Sequence, residues 1–140
     1  MPRVAIALGS NLGDRKANIA AAIKGLRNLS TEGEPFLTAK LYDTSPQDCP
    51  PESPRFLNTA VDFHYTGDNP LTLLEQTQHL EQSLGRESNP IRNSPRIIDI
   101  DILLFGDQTL RDPRLEIPHP RIRERPFVLL PLREVRPEFS

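Results

Sequence analysis

Two aspartates two residues apart, Asp99 and Asp101, stand inside an otherwise apolar run over residues 97–105. In a β-strand, successive side chains alternate faces, so both carboxylates would project from the same face. Aspartate is disfavoured in strands, and two like charges on one face repel each other, which a divalent cation would relieve. Mg²⁺ commonly binds one or two carboxylates and takes its other ligands from water and phosphate. The pair therefore indicates a magnesium site, while a solvated strand face remains the alternative that the motif alone leaves open.

Arginine is the main basic residue in the second half of the chain. A guanidinium group stays charged and binds phosphate oxygens in pairs, so arginines on both sides of a carboxylate pair suit a polyphosphate held with Mg²⁺. For each arginine taken singly, an exposed side chain paired with a nearby acid is the alternative. These arginines are Arg86, Arg92, Arg96, Arg111, Arg114, Arg121, Arg123, Arg125, Arg133 and Arg136.

The whole chain has the composition of an ordinary globular domain. Its 140 residues are enough for one core, so we expect a single domain over residues 1–140. A net charge of -2 gives no field that would attract a polyanion, which argues against a nucleic-acid partner. The single cysteine, Cys49, excludes an internal disulfide. Without a long apolar stretch or a signal-peptide pattern, we expect a cytoplasmic protein with no membrane partner.

Hydrophobic periodicity predicts the element order β, α, β, β, α, β, followed by a C-terminal extension. Asp14 and Asn69 are expected to cap the two helices, and Gly85 to end the second one. This order predicts an α+β fold, a ferredoxin-like βαββαβ sandwich in which the helices pack on one face of a mainly antiparallel sheet. The other face would then be available for a ligand. The four strands are predicted over residues 4–8, 36–43, 56–65 and 98–104.

Alternation within these strands also assigns side chains to faces. In the second strand, Leu37, Ala39 and Leu41 are expected on one side. In the fourth strand, the apolar side chains opposite the aspartates should line the core. Those side chains are Ile98, Ile100, Ile102 and Leu104.

Two irregular segments interrupt the pattern. The proline-rich segment from Thr44 to Arg55 is too long for a hairpin turn, so we interpret it as a lid or binding loop. A second irregular segment, residues 86–95, leads into the strand with the aspartates. Beyond Gly106, residues 115–117 are predicted to form a short strand and residues 127–130 a last buried segment.

Several short motifs together resemble the 6-hydroxymethyl-7,8-dihydropterin pyrophosphokinase family of folate biosynthesis. The resemblance is colinear from residue 4 to about residue 135, and its most specific part is the Pro-Arg-x-x-Asp-x-Asp segment beginning at Pro95. The motifs are Gly9-Ser10-Asn11-Leu12-Gly13, Phe56-Leu57-Asn58, Leu84-Gly85-Arg86, Pro95 to Leu103, Ile117-Pro118-His119, and Arg125-Pro126-Phe127-Val128-Leu129.

The resemblance implies transfer of the terminal pyrophosphoryl unit of ATP to the hydroxymethyl group of the reduced pterin, with release of AMP and with two Mg²⁺ ions. By matching motif, Asp99 and Asp101 would hold both metals. Arg86 and Arg96 would reach the phosphates from the segment before the strand and complete the catalytic set. A further arginine that many members carry at the position of Ser88 is either missing here or replaced by Arg92.

The same resemblance implies a nucleotide site and a pterin site. Phe56 and Phe127 would sandwich the flat pterin, and Asn58 with Thr44 would bind its ring edge. Besides Arg86 and Arg96, the ATP site would contain Gln78, Glu81, Ile102, Arg114, His119 and Arg125.

Two further expectations complete the interpretation. We expect a monomer that binds ATP and the pterin. The amino-acid sequence of the third loop, over residues 91–96, also suits one domain of a fused folate enzyme. The alternative from another class is a non-catalytic ferredoxin-like module that binds a nucleotide for regulation. Such a module would need no metal-binding acids.

Overall fold

The computed structural model describes residues 1–44, 55–85, 97–122 and 124–138. These residues form an α+β fold with three helices and a mainly antiparallel sheet, in agreement with the predicted class. The elements are β1 (Arg3–Ser10), α1 (Arg15–Arg27), β2 (Phe36–Thr38), β3 (Tyr42–Thr44), β4 (Phe56–His64), α2 (Pro70–Ser83), β5 (Asp99–Phe105), β6 (Leu110–Asp112), β7 (Leu115–Ile117) and α3 (Pro126–Val135).

The main sheet has the strand order β2-β4-β1-β5, and β3 also pairs with β4. Every pairing within it is antiparallel. Strands β6 and β7 form a separate hairpin. Because β1 lies in the middle of the sheet, its side chains decide what each face can accommodate.

Helices α1 and α2 begin and pack as the sequence predicts. The Asp14 carboxylate accepts a hydrogen bond from the Ala17 amide at 3.1 Å, and the Asn69 side chain accepts one from the Leu71 amide at 2.9 Å. Each contact satisfies an amide at a helix start that has no partner within the helix. Both helices bury apolar side chains against one sheet face, which β1 supplies with Val4, Ile6 and Leu8.

The third helix, α3, lies on the opposite sheet face. Its Leu132 and Val135 are buried together with Ala5 of β1 and Ala60 of β4. The prediction that helices cover only one face is therefore wrong at this end of the sheet. The segment 127–130, predicted to be buried, is the first half of a helix that starts at Pro126, because proline suits the first helical turn. Residues 127–129 are only half-buried and Leu130 is exposed, so the predicted burial is wrong for this segment.

A bulge changes the facing of side chains in β5. Ile6 pairs with Ile102 but Ala5 pairs with Leu104, so Leu103 is an extra residue between the two pairings. Leu104 consequently joins the core under α3, and its predicted place beside Ile100 is wrong. Phe105 instead lies on the sheet face that α1 and α2 cover.

The strand predicted over residues 36–43 is two short strands. Thr38 pairs with Val61, but Tyr42 pairs with Asn58, so the register shifts by one residue between β2 and β3. Ala39 is buried, whereas Leu37 and Leu41 are each about 40% exposed. Leu37 pairs with Asp62 and so shares the face of Ala39, as predicted, whereas Leu41 lies beyond the register shift and leaves that face.

A buried carboxylate ties the end of α3 to the sheet. Asp62 of β4 is 1% exposed and accepts hydrogen bonds from Arg3 Nε at 2.6 Å and from Arg136 Nε at 2.8 Å. Arg3 also donates to the Val135 carbonyl. This cluster joins β1, β4 and the C-terminal end of α3.

None of the helices in the described part of the chain is long and apolar enough to cross a membrane.

Candidate active site

Asp99 and Asp101 share one face of β5, as predicted. In the antiparallel register, Asp99 lies opposite Gly9 and Asp101 lies opposite Ala7. Both aspartates are partly exposed, whereas the alternating Ile100 and Ile102 are buried on the side of α1 and α2. The sheet therefore presents the two carboxylates on the side that α1 and α2 do not cover.

The aspartates line a cleft of about 600 Å³ between α2, β5, the β6–β7 hairpin and the segment that leads into α3. These elements are far apart in the chain, so only the tertiary fold brings them together. Eight residues that the family resemblance assigned to the metals or to ATP line this one cleft: Gln78, Glu81, Asp99, Asp101, Ile102, Arg114, His119 and Arg125.

Glu81 positions the backbone between the two aspartates. Its carboxylate is 6% exposed and accepts a hydrogen bond from the Ile100 amide at 2.8 Å. In the described sheet β5 is an edge strand, so this side chain satisfies an amide on the strand's outer edge. Glu81 thus connects α2 directly to the strand that carries Asp99 and Asp101.

His119 is held as a neutral imidazole with a defined tautomer. Its Nδ1 accepts a hydrogen bond from the Arg121 amide at 3.2 Å, so the ring proton lies on Nε2. Its own amide donates to the Leu103 carbonyl at 3.0 Å, which attaches the turn to β5. Burial lowers the pKa of His119 below its ordinary value, and the charges of Arg125 and Arg121 lower it further. The ring can therefore offer an Nε2–H donor to an anion in the cleft.

This pKa shift predicts a measurable acid sensitivity. Between the pKa of folded His119 and its ordinary value of about 6.5, the unfolded chain binds a proton that the folded protein does not. The free energy of unfolding should therefore fall as the pH decreases through this window. In His119→Gln, this part of the decrease should be missing when urea unfolding is compared at pH 7.5 and pH 5.5. His79→Gln, at an exposed position of α2, is the control, and equal pH dependence in His119→Gln and wild type would contradict the prediction.

The β6–β7 hairpin carries an ion pair at its tip. Arg114 Nε donates to Asp112 Oδ1 at 3.1 Å, and the Arg114 amide donates to the same oxygen at 2.9 Å. The hydrogen bond from Arg114 lowers the pKa of Asp112, and the pKa of Arg114 is raised by the same pair. The predicted nucleotide residue Arg114 therefore enters the cleft with its orientation set by Asp112, which the sequence interpretation did not include.

Arg125 and Phe127 lie at the start of α3. Arg125 is the residue before the helix, and its guanidinium carbon lies 5.8 Å from the centroid of the Phe127 ring. Arg125 also lines the cleft. The helix thereby places a residue predicted for the pterin site next to one predicted for the nucleotide site.

The other residues predicted for the pterin site lie on β4 and β3. Asn58 pairs with Gly9 on one side and with Tyr42 on the other, and Phe56 pairs with Thr44. Asn58 is buried and Phe56 is half-buried. In one row across the sheet, Asn58, Gly9 and Asp99 are consecutive partners.

A charged cluster that the sequence interpretation missed joins β3 to β4 beside this row. Arg55 Nε donates to Asp43 Oδ1 at 2.9 Å, and Arg15 of α1 donates to the Arg55 carbonyl at 3.0 Å. The hydrogen bonds from Arg55 and Arg15 lower the pKa of Asp43. Sequence spacing gives no signal for this cluster because its members come from α1, from β3 and from the residue before β4.

Several predicted residues lie outside the described part of the chain. They are Arg86, Ser88, Arg92 and Arg96, together with residues 45–54 of the predicted binding loop. The Thr44 side chain is also outside it, although the Thr44 backbone ends β3. In addition to Asp112, the cleft is lined by Glu116 and Arg121, which were not assigned to the nucleotide.

The model of the family described as 7,8-dihydro-6-hydroxymethylpterin-pyrophosphokinase (HPPK) matches residues 5–137. The chain belongs to this family. It is therefore an HPPK-type pyrophosphokinase of folate biosynthesis, and the family, activity and enzyme class expected from the sequence are confirmed.

Individual relatives agree with this assignment. The chain is similar to 2-amino-4-hydroxy-6-hydroxymethyldihydropteridine pyrophosphokinase of Bacillus subtilis (strain 168), with 41% identity over 130 residues, covering 93% of this chain and 75% of that protein. The protein of the same name from Pseudomonas aeruginosa is 41% identical over 138 residues, covering 97% of this chain and 82% of that protein.

Fused relatives also match. A folate synthesis bifunctional protein of Arabidopsis thaliana is 40% identical over 129 residues, which are 92% of this chain and 26% of that protein. Among solved structures, an HPPK-DHPS in complex with substrates has a TM-score of 0.69 and 16% identity, covering 99% of this chain and 41% of that chain. At this identity, the structural likeness supports the fold alone.

Proposed function

We propose that this HPPK-family chain transfers the terminal pyrophosphoryl group of ATP to the hydroxymethyl oxygen of 6-hydroxymethyl-7,8-dihydropterin. The oxygen forms a bond to the β-phosphorus while the bond from that phosphorus to the oxygen of the α-phosphate breaks. The hydroxyl proton is released to solvent, and AMP leaves with the oxygen that bridged the α- and β-phosphates. The observation that carries the proposal is that Asp99 and Asp101 line one cleft with His119, Arg114 and Arg125.

We assign Asp99 and Asp101 to two Mg²⁺ ions that enter with ATP. The donor set fits magnesium, because carboxylate oxygens are hard ligands and this ion needs only one or two of them from the protein. No group of three or more histidine, cysteine, aspartate or glutamate side chains suited to a metal occurs among the described residues. When bound, the ions would neutralise the triphosphate charge and orient the attacking hydroxyl.

The cationic and neutral donors of the cleft suit the rest of the nucleotide. Arg125 and Arg114 can pair with phosphate oxygens, and the Nε2–H of His119 can donate to another. Gln78 and the backbone of Ile102 line the same cleft and can bind the nucleoside part. Arg86 and Arg96 would complete the phosphate site from outside the described residues.

The pterin is assigned to the neighbouring part of the sheet. Asn58 has both a donor and an acceptor for the ring edge, and Phe56 and Phe127 offer aromatic faces for the flat ring. Thr44 ends the adjacent strand and would contact the ring from there. The row that joins Asn58 to Asp99 supports an acceptor site beside the metal-binding acids.

We also assign the core to the ferredoxin-like βαββαβ class. Strands β2 and β3 together take the place of one strand of that arrangement, beside β4. The sheet order, with β1 in the middle between β4 and β5, supports this assignment. Helix α3 is then an addition to the common core.

The direct test is release of AMP from ATP and Mg²⁺ with and without 6-hydroxymethyl-7,8-dihydropterin. AMP should form only with the hydroxymethyl compound, and the 6-methyl analogue, which lacks the attacking oxygen, is the matched control. AMP release that does not depend on the hydroxymethyl group would contradict the proposed reaction. Binding of ATP without AMP release in any mixture would favour the non-catalytic nucleotide-binding module.

A further inference from the structure

The central strand β1 has small side chains on the side where the two substrates are assigned. Its large residues Val4, Ile6 and Leu8 face α1 and α2, while Ala5 and Ala7 face the other way and Gly9 follows them in the alternation. Ala5 lies under α3, and Ala7 and Gly9 pair with Asp101 and Asp99. On this face, β1 therefore has no side chain at Gly9 between β4 and β5.

The space above Gly9 is occupied by side chains from β4. A Cβ atom added to Gly9 would lie 2.9 Å from Asn58 Oδ1 and 3.6 Å from Phe56 Cδ1. Gly9 lies in a regular strand and is not one of the glycines with positive φ, so its backbone conformation does not require glycine. A residue larger than glycine at this position would have to displace the Asn58 amide.

We propose that Gly9 is a positioning residue for the acceptor substrate. Because Gly9 has no side chain, the Asn58 amide lies over β1, which is the strand between Asn58 and Asp99. A pterin bound by that amide is held with its hydroxymethyl group toward the metal-binding acids. This inference rests on the proposed function, and it adds a residue that contacts neither substrate in the assignment above.

The test is a double-mutant cycle with Gly9→Ala and Asn58→Ala. Gly9→Ala should displace the Asn58 amide and lower kcat/KM for the pterin roughly 10- to 100-fold, which corresponds to the loss of well-aligned hydrogen bonds to a buried ring. KM for ATP should stay unchanged. In the Asn58→Ala background, Gly9→Ala should have little further effect, because the side chain that it displaces is already absent.

Gly25→Ala is the matched control. A Cβ at Gly25 would also meet a side chain, Leu80 Cδ1 at 2.5 Å, but it does so between α1 and α2. This variant should lower the melting temperature and leave kcat/KM for the pterin at the wild-type value. A purely structural effect of Gly9→Ala would look like this control.

Wild-type kinetics for Gly9→Ala, or an equal loss in the presence and absence of the Asn58 side chain, would overturn the inference. If Gly9→Ala does not fold, the double variant Gly9→Ala/Asn58→Ser is used in its place. Serine is shorter than asparagine and so leaves room for the added methyl group. If the double variant folds and has the same pterin kinetics as Asn58→Ser, the inference is supported. If the double variant does not fold, the inference is overturned. Wild-type protein without pterin-dependent AMP release would instead refute the proposed function, so the two failures are distinguishable.

Discussion

Asp99→Asn and Asp101→Asn are each expected to lower kcat roughly 100- to 1000-fold while the protein stays folded. Each carboxylate is assigned to the ions that neutralise the triphosphate, and such charge stabilisation contributes several kcal/mol to lowering the barrier. Asparagine keeps the size of the side chain and removes its charge. The measurement is Mg²⁺-dependent AMP release with the hydroxymethyl pterin at saturating substrates.

The melting temperatures of the same two variants separate a loss of activity from a loss of folding. The aspartates lie on one strand face, so removing one charge also removes a repulsion between like charges. Asp107→Asn, at an exposed position just after β5, is the control for replacing an aspartate in this region. Near-normal AMP release in either Asp99→Asn or Asp101→Asn would contradict the metal assignment.

Asp62→Ala is expected to lower the free energy of unfolding by about 3–5 kcal/mol, as removal of one partner from a buried ion pair typically does. Asp62 is 1% exposed and pairs with both Arg3 and Arg136. Arg136 is itself largely buried, and its Nη2 atom already has no hydrogen-bond partner in the described structure. Removing the carboxylate would leave this cation without its main counter-charge.

Urea unfolding of Asp62→Ala and Glu138→Ala separates a buried pair from an exposed one. Glu138 also pairs with Arg3, at 3.0 Å, but its side chain is 60% exposed, so its removal should change stability little. The acids that line the cleft belong to α2, β5 and the β6–β7 hairpin and not to this cluster, so the folded fraction of Asp62→Ala should keep its KM for ATP. Equal stability losses in the two variants would show that the buried cluster does not hold α3 to the sheet.

Local signals in the sequence predicted the elements well wherever one residue decides the geometry. Asp14 and Asn69 cap their helices because a side-chain oxygen next to a free amide needs no distant partner. Asp99 and Asp101 share a face because strand alternation is a local property. The family resemblance rested on such short motifs and was confirmed by the family match.

The errors arose where pairing between distant strands decides the facing of side chains. Leu104 faces α3 because Leu103 is an extra residue opposite β1, and Leu41 leaves the face of Ala39 because the register against β4 shifts. Periodicity within one strand contains no information on the bulge in β5 or on the register shift between β2 and β3. The position of α3 on the second sheet face is a packing outcome of the same kind, since it depends on the small residues Ala5 and Ala60.

The sequence alone determined the chemical types at the site: two carboxylates on one strand face, with arginines, a histidine and an asparagine elsewhere in the chain. Only the tertiary structure decided how they meet. It places Asn58 and Asp99 on either side of Gly9, holds His119 as a neutral donor through the Arg121 amide, and attaches Glu81 to the backbone between the aspartates. These relations depend on hydrogen bonds and packing between residues far apart in the chain, which no local pattern specifies.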